Sequence, residues 1–378
     1  MEYRTLDKLG VSISLLGFGC MRLPMTTDGK IDREEATRLI DLAYRSGVNY
    51  YDTAYTYHAS ESEPFIGRAL TAYDRKSFYI ATKLPVWEVN SLEDAERIFA
   101  NQLERLQMEY IDFYMLHAMS KKRWDKMLEL GVVDFVEKLR KDGKIKYLGF
   151  SFHDDYPVFE EILNSRDWDF CQIQLNYMDV NEQAGIKGYE LATEKGVPVI
   201  VMEPIKGGLL AQLPDEITAD FRRIAPERSM ASWAFRWVAS LPNVKLILSG
   251  MSNMQQVEDN LATFEKHNEF TAEEAKAISD TAEALRKRVF NGCTGCSYCM
   301  PCPHGVDIPT NFSIWNNYGI YRNAGTTKWE IGSSLAESER ASNCTECGIC
   351  EGSCPQKIAI RQDLKSVQKE FDSLLERI

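Results

Sequence analysis

The sequence predicts an α/β fold: a closed (β/α)8 TIM barrel followed by a small, mainly α-helical, cysteine-rich domain. Three observations carry this. Short apolar segments alternate with amphipathic helical ones up to about residue 290, as a chain of βαβ units requires. Eight such units fit in that span, which suits a closed barrel better than an open sheet. Eight of the ten cysteines fall after residue 290, where the alternation has stopped. An open dinucleotide-binding sheet would want Gly-x-Gly-x-x-Gly after its first strand. Gly17-Phe18-Gly19-Cys20-Met21-Arg22 lacks the third glycine, and no helix follows at once.

The elements read in order. Ile13 to Phe18 is a strand, and Glu34 to Ser46 a helix with Ala36, Leu39, Ile40 and Ala43 on one face. Asn49 to Asp52 is a short strand and Pro64 to Leu70 a helix. Ser77 to Lys83 is a strand; Leu92 to Leu106 is a helix with an acidic first turn. Tyr110 to Leu116 is the fourth strand, with a helix near Lys126 to Lys141. Ile145 to Ser151, Phe170 to Leu175, Pro198 to Met202 and Val244 to Ser249 complete the strands, with a clear helix at Ser229 to Val238. Thr271 to Arg288 is a charged helix that closes a barrel domain of residues 1–290. Asn291-Gly292 opens a second domain, 291–378, with helical patches at Asn311 to Tyr318 and Leu364 to Arg377.

With 56 acidic against 44 basic side chains the net charge is −12. Such a surface repels phosphate backbones and anionic lipid, which argues against nucleic acid as a partner. No run approaches the roughly 18 apolar residues of a membrane span, so no membrane is expected either. Met1-Glu2-Tyr3-Arg4 leads into no apolar run with a cleavage site, which points to a cytoplasmic protein with reduced thiols.

In a βα barrel the reactive groups stand at the C-terminal strand ends and in the loops after them. Asp52 ends the second strand, Tyr57 lies in the next loop, Lys83 ends the third strand and His117 the fourth. A carbonyl accepting hydride needs a proton on its oxygen. A tyrosine can supply one, and a nearby ammonium lowers its pKa from about 10 towards the working range. A carboxylate can hold that ammonium, and a neutral histidine can orient the substrate oxygen. His58 and His153 are expected to line the pocket.

Tyr51-Asp52-Thr53-Ala54-Tyr55-Thr56-Tyr57, Ala81-Thr82-Lys83 and Tyr114-Met115-Leu116-His117 resemble the catalytic segments of the aldo-keto reductases. The resemblance runs from Tyr3 to about Phe264. It implies Tyr57 as general acid/base, Lys83 as its modulator, Asp52 as the anchor of Lys83, and His117 as the group orienting a small-molecule carbonyl substrate. It also implies a nicotinamide cofactor, NADP or NAD, along Gly19, Met21, Arg22, Ser151, Gln172, Met202, Glu203, Pro204, Ile205, Lys206, Gly250, Met251, Ser252, Gln256, Asp259 and Asn260. Four positions depart from the family: Phe152 replaces the usual carboxamide asparagine, Met202 the stacking tyrosine, Glu203 a small hydroxyl residue near the pyrophosphate, and Gln256 the arginine for a 2′-phosphate. Lys206 is the candidate to offset the charge of Glu203.

Cys344-x2-Cys347-x2-Cys350-x3-Cys354-Pro355 is the ferredoxin run for cubane iron–sulfur clusters. Cys293-x2-Cys296-x2-Cys299-x2-Cys302-Pro303 resembles it, one residue short. Two [4Fe-4S] clusters with crossed ligation are expected in a ferredoxin-like domain. One would use Cys293, Cys296, Cys299 and Cys354, and the other Cys344, Cys347, Cys350 and Cys302. Paired four-thiolate zinc sites are the alternative. No feature specifies a flavin. The expected function is reduction of an aldehyde or ketone. The alternatives are electron transfer with a ferredoxin-type redox partner, and a non-catalytic redox sensor.

Overall fold

The computed structural model describes residues 1–265 and 270–376; Arg377, at the end of the last expected helix, lies outside them. By packing, the chain forms two units: Met1–Gly207 with Ala231–Thr271, and Gly208–Met230 with Ala272–Ile378. This division cuts the chain differently from a boundary at residue 290, because it groups the segment 208–230 and the helix Ala272–Arg286 with the cysteine-rich region.

The first unit begins with an antiparallel hairpin, β1 (Tyr3–Leu6) and β2 (Val11–Ser14). Eight parallel strands follow: β3 (Leu16–Gly19), β4 (Tyr50–Asp52), β5 (Tyr79–Leu84), β6 (Ile111–Met119), β7 (Ile145–Phe152), β8 (Phe170–Gln174), β9 (Val199–Met202) and β10 (Val244–Gly250). Each pairs with the next, and β10 returns to β3 with Gly250 opposite Gly19, closing the barrel. The expected strand Ile13–Phe18 is thus two strands: its first residues belong to the hairpin and its last to the barrel. Gly10 at φ 63° makes the hairpin turn.

The two-residue period of the strands sorts side chains into two cores. Tyr50, Phe113, Met115, Phe170, Ile200 and Leu246 fill the barrel, where Leu6, Val11 and Ile13 of the hairpin join them. Tyr51, Tyr114, Leu116, Val201 and Ile247 meet the outer helices. The helix expected over Lys126–Lys141 is two, Lys121–Glu129 and Val132–Lys141, because Gly131 takes φ 69° between them. Among the described residues, no helix is long and apolar enough to cross a membrane.

The second unit is helical. Ile308–Tyr321, Ala324–Ser334 and Ile360–Glu376 pack Phe312, Trp315, Ile331, Leu364, Val367 and Phe371 into one core. Asp307 caps the first of these, accepting from Thr310 N at 3.1 Å. Buried Asn311 donates to Asp307 O and Glu339 O at 2.7 and 2.8 Å and accepts from Ala341 N at 3.0 Å. The segment 208–230 is tied in by Glu216–Arg288 at 2.8 Å, Arg223–Glu273 at 2.9 Å and Arg228–Glu274.

Candidate active site and cluster-binding region

Asp52 and Lys83 lie on neighbouring barrel strands, and both are buried. Lys83 Nζ donates to Asp52 Oδ1 at 2.6 Å and to Thr53 O at 2.8 Å. It sits 5.1 Å from the centre of the Tyr57 ring and also interacts with the Tyr57 hydroxyl. The His117 ring stands 6.1 Å from that of Tyr57, edge-on at 77°. The four residues expected to act together are therefore neighbours at one end of the barrel.

A bulge brings His117 there. The β6–β7 register shifts between Leu116 and Met119, and Ala118 takes φ 52°, which re-aims the adjacent side chain. Two side chains pin the bulge: Ser151 Oγ accepts from Ala118 N at 2.7 Å, and Arg123 Nη1 donates to Ala118 O at 2.6 Å. Trp87 lies 4.9 Å from the His117 ring, and Arg123 covers Trp87 at 5.2 Å.

Behind Lys83 runs a buried polar chain. Glu63 accepts from Thr82 Oγ1 at 2.7 Å and from Gln102 Nε2 at 2.8 Å. Gln102 also donates to Lys83 O at 3.0 Å and accepts from Tyr114 OH at 2.7 Å. This chain fixes the strand segment that carries the ammonium. Its signal in the sequence is Gln102 on the apolar stripe of Ala95, Ile98, Phe99 and Leu106.

Burial governs the ionisation. It lowers the affinity of Lys83 for its proton, but Asp52 and Tyr57 outweigh it and the pKa lies above the usual lysine value. Burial raises the Asp52 carboxyl, against the pull of Lys83. Burial also raises the Tyr57 phenol; Lys83 opposes this without reversing it. The expected lowering of the phenol pKa is thus a partial offset, and Tyr57 rests protonated, ready to donate. Burial, Lys83, His153 and Arg123 all push His117 well below its usual value, so it is neutral near pH 7.

The orphaned atoms fit a nicotinamide. Gln172 is buried; among the described residues its Oε1 has no partner, and its Nε2 meets Met202 Sδ at 3.5 Å. That leaves a carboxamide-matching group aimed into the barrel mouth. Ser151 uses its oxygen as an acceptor, which leaves its hydrogen to donate. Arg22 is exposed, packing its stem where a Cβ on Gly250 would be 3.0 Å from it, with its guanidinium near Gly207. A single cation thus spans two loops of the mouth. Lys206, in contrast, is bound to Asp179 at 2.7 and 2.8 Å, an acceptor shared with Gln174 and Asn176. Glu203 adopts φ 52°, Pro204 is buried and Ile205 is half-buried.

The other expected contacts are placed as follows. A Cβ on Gly19 would lie 3.2 Å from Ser249 O, so the backbones approach closely there, and Met21 is exposed. Met251 is fully buried in the outer core, so only its backbone faces the loop. Ser252 N donates to Gln256 Oε1 at 2.7 Å, so Gln256 closes its own loop. Asn260 is buried and donates to Ser249 Oγ at 2.9 Å; Asp259 is half-buried one residue before it. His58 faces Cys20 O at 3.1 Å and Leu23 N at 3.3 Å, which ties it to the loop after β3.

In the second unit the eight thiols line two cavities. Cys293, Cys296, Cys299 and Cys354 share one with Ile308, Phe312 and Ile360. Cys302, Cys344, Cys347 and Cys350 share the other with Ile308 and Leu364, where Cys299 also reaches the wall. Among the described residues, no three His, Cys, Asp or Glu side chains converge on a single-ion site. Thiols spread around a cavity suit a polynuclear cluster, whose ligands bind separate irons. Cys296 and Cys347 are exposed; the other six are half-buried.

A family model for the aldo/keto reductase family matches residues 15–283, and one for a 4Fe-4S dicluster domain matches residues 292–359. The chain is 26% identical to L-galactose dehydrogenase of Arabidopsis thaliana over 282 residues, 69% of this chain and 88% of that one. It is 25% identical to the NADH-specific methylglyoxal reductase of Escherichia coli, over 75% of this chain and 97% of that one. The aldo-keto reductase AKR11C1 of Bacillus halodurans, in its holo form, superposes with a TM-score of 0.64 at 28% identity, covering 75% of this chain and 97% of its own. The chain therefore belongs to the aldo/keto reductase family, as an NAD(P)H-dependent oxidoreductase with a C-terminal 4Fe-4S dicluster domain.

Proposed function

We propose that the enzyme reduces an aldehyde or ketone to the alcohol at the mouth formed by Tyr57, Lys83, Asp52 and His117. The observation that carries the reading is the buried 2.6 Å Lys83–Asp52 pair with the Tyr57 ring 5.1 Å from the same ammonium. A bound nicotinamide would supply the hydride. Tyr57 donates the proton to the carbonyl oxygen, and Lys83 stabilises the phenolate left behind. Asp52 holds Lys83 in place. Neutral His117 donates an N–H that orients the oxygen. Gln172 and Ser151 are the residues to hold the carboxamide, and Arg22 the residue to meet the diphosphate. Since Gln256 carries no charge and is occupied by Ser252, we expect little preference for NADPH over NADH.

The cysteine region holds two [4Fe-4S] clusters in this reading, ligated across the two runs as the shared cavities suggest. Oxygen-labile clusters on reduced thiols support a cytoplasmic location. A second reading, one-electron exchange with a ferredoxin-type partner, is favoured by the exposure of Cys296 and Cys347. The deciding experiment is Tyr57→Phe in the cluster-loaded protein, assayed with NADPH and NADH against a panel of aldehydes. Carbonyl reduction should fall by about 10²–10⁴-fold, the usual worth of a general acid, with cofactor affinity held. Unchanged turnover would remove Tyr57 as the acid.

A further inference from the structure

The residues that position His117 leave an uncommitted cation at the mouth. Arg123 begins the helix after β6 and is half-buried. Its guanidinium lies over Trp87 at 5.2 Å, and Trp87 lies 4.9 Å from His117. The cation thus stands one aromatic ring beyond the imidazole. A guanidinium has five N–H donors; the one hydrogen bond Arg123 makes within the described residues is to Ala118 O, at 2.6 Å.

The carboxylates close by are committed elsewhere. Asp154 Oδ2 accepts from Lys121 N at 2.8 Å, and Asp125 and Glu161 both pair with Lys121 Nζ, at 2.9 and 2.8 Å. Asp52 is bound to Lys83. The field at both imidazoles is consequently cationic: Lys83 and Arg123 each act on His117 and on His153. A half-buried guanidinium with no carboxylate partner among the described residues, stacked on an aromatic face beside a proton donor, is arranged to receive an anion in a fixed plane.

We propose that Arg123 selects substrates whose carbonyl group is accompanied by a carboxylate, which pairs with the free edge of the guanidinium while the carbonyl oxygen lies between Tyr57 and His117. This rests on the carbonyl-reductase reading and adds the substrate class. The competing role for Arg123 is mechanical: it braces the Ala118 bulge and nothing more.

The test uses full-length, cluster-loaded protein and matched probes: 4-oxobutanoate against butanal, and 5-oxopentanoate against pentanal. The wild type should prefer the carboxylated member of at least one pair by about tenfold or more in kcat/KM. Arg123→Gln should lose about 10- to 150-fold more on that member than on its neutral partner, the worth of a charge-assisted hydrogen bond, with the excess loss mainly in KM; any loss common to both members reports the brace on the Ala118 bulge. Arg123→Lys should retain part of the preference, because the charge survives and the planar fork does not. Succinate binding to the NADPH complex, followed by tryptophan fluorescence, supplies a readout without turnover. An equal loss on both members of a pair would make Arg123 a brace and overturn the proposal, as would a wild-type preference for the neutral members. Arg123-dependent succinate binding without turnover of any aldehyde would uphold the anion site and refute the reductase reading. Turnover of neutral aldehydes without succinate binding would do the reverse.

Discussion

The Lys83–Asp52 pair gives a sharp test of why a charge is buried in this barrel. The two side chains are 0% and 4% exposed. Replacing Asp52 with leucine leaves the ammonium with Thr53 O and the Tyr57 hydroxyl as its neutral partners. An uncompensated buried charge costs about 3–5 kcal/mol. For a domain of this size that is a fall of about 6–20 °C in Tm, at 2–4 °C per kcal/mol. The double variant Asp52→Leu/Lys83→Met removes both charges and substitutes apolar groups of similar bulk. Its stability should return to within about 1 kcal/mol of the wild type, or exceed it, since isolating a charge and removing a pair are not additive. Carbonyl reduction should nevertheless be absent from it. Urea unfolding followed by near-ultraviolet circular dichroism, alongside the aldehyde assay, reads both quantities. A double variant no more stable than Asp52→Leu would refute the claim that the lone charge is the cost. A double variant that still reduces aldehydes would refute the claim that the pair exists for chemistry.

Other outcomes follow from the same geometry. His117 is held neutral with its pKa depressed, so the unfolded chain takes up its proton first as pH falls. Its contribution to stability is whole above pH 6.5 and is lost on going below it; His117→Asn should flatten the fall in urea midpoint between pH 7 and 5, leaving the parts due to His153 and His58, which burial also depresses. Cys354→Ser should perturb the cluster of Cys293, Cys296 and Cys299, while Cys302→Ser perturbs the other. Iron and sulfide content near half the wild-type value in each, with Cys354→Ser losing the same electron paramagnetic resonance signal as Cys296→Ser and Cys302→Ser the same as Cys347→Ser, would bear out crossed ligation; the opposite pairing of signals would contradict it. Gly67→Ala places a Cβ 2.5 Å from Leu106 O, so it should destabilise by about 1–3 kcal/mol as other overpacked sites do; an unchanged denaturation midpoint would show that this helix yields.

What the sequence reveals is what depends on periodicity and on position relative to strand ends. The barrel strands are visible because their apolar runs recur between helical patterns. Asp52, Lys83 and His117 stand out because they break those runs at their ends. The β1–β2 hairpin is hidden, since Ile13-Ser14 continues into Leu15-Leu16 without a turn residue between them. The break at Gly131 is hidden because apolar spacing persists across it. The Glu63–Gln102–Tyr114 chain joins segments 39 and 12 residues apart, so the sequence hints at it only through a polar Gln102 on an apolar stripe; the Arg123–Ala118 brace spans five residues but depends on the left-handed backbone at Ala118, which no residue pattern announces. The partner of Lys206 is missed because Asp179 is 27 residues away. The direction of the Tyr57 ionisation depends on how deeply the fold buries the phenol, which the motif alone does not state.

The second unit takes its residues from two places in the chain, 208–230 and the stretch from Ala272 onward. A fragment starting at Asn291 would therefore lack both the helix Ala272–Arg286 and the segment bearing Phe221 and Glu216. It would also strip Arg288, the partner of Glu216 and of Gly319 O, from its own side of the cut. Expression of the iron–sulfur region as a detached piece should give a product with an exposed flank, prone to association. Studies of its redox centres are better served by the intact polypeptide with one set of thiols silenced at a time.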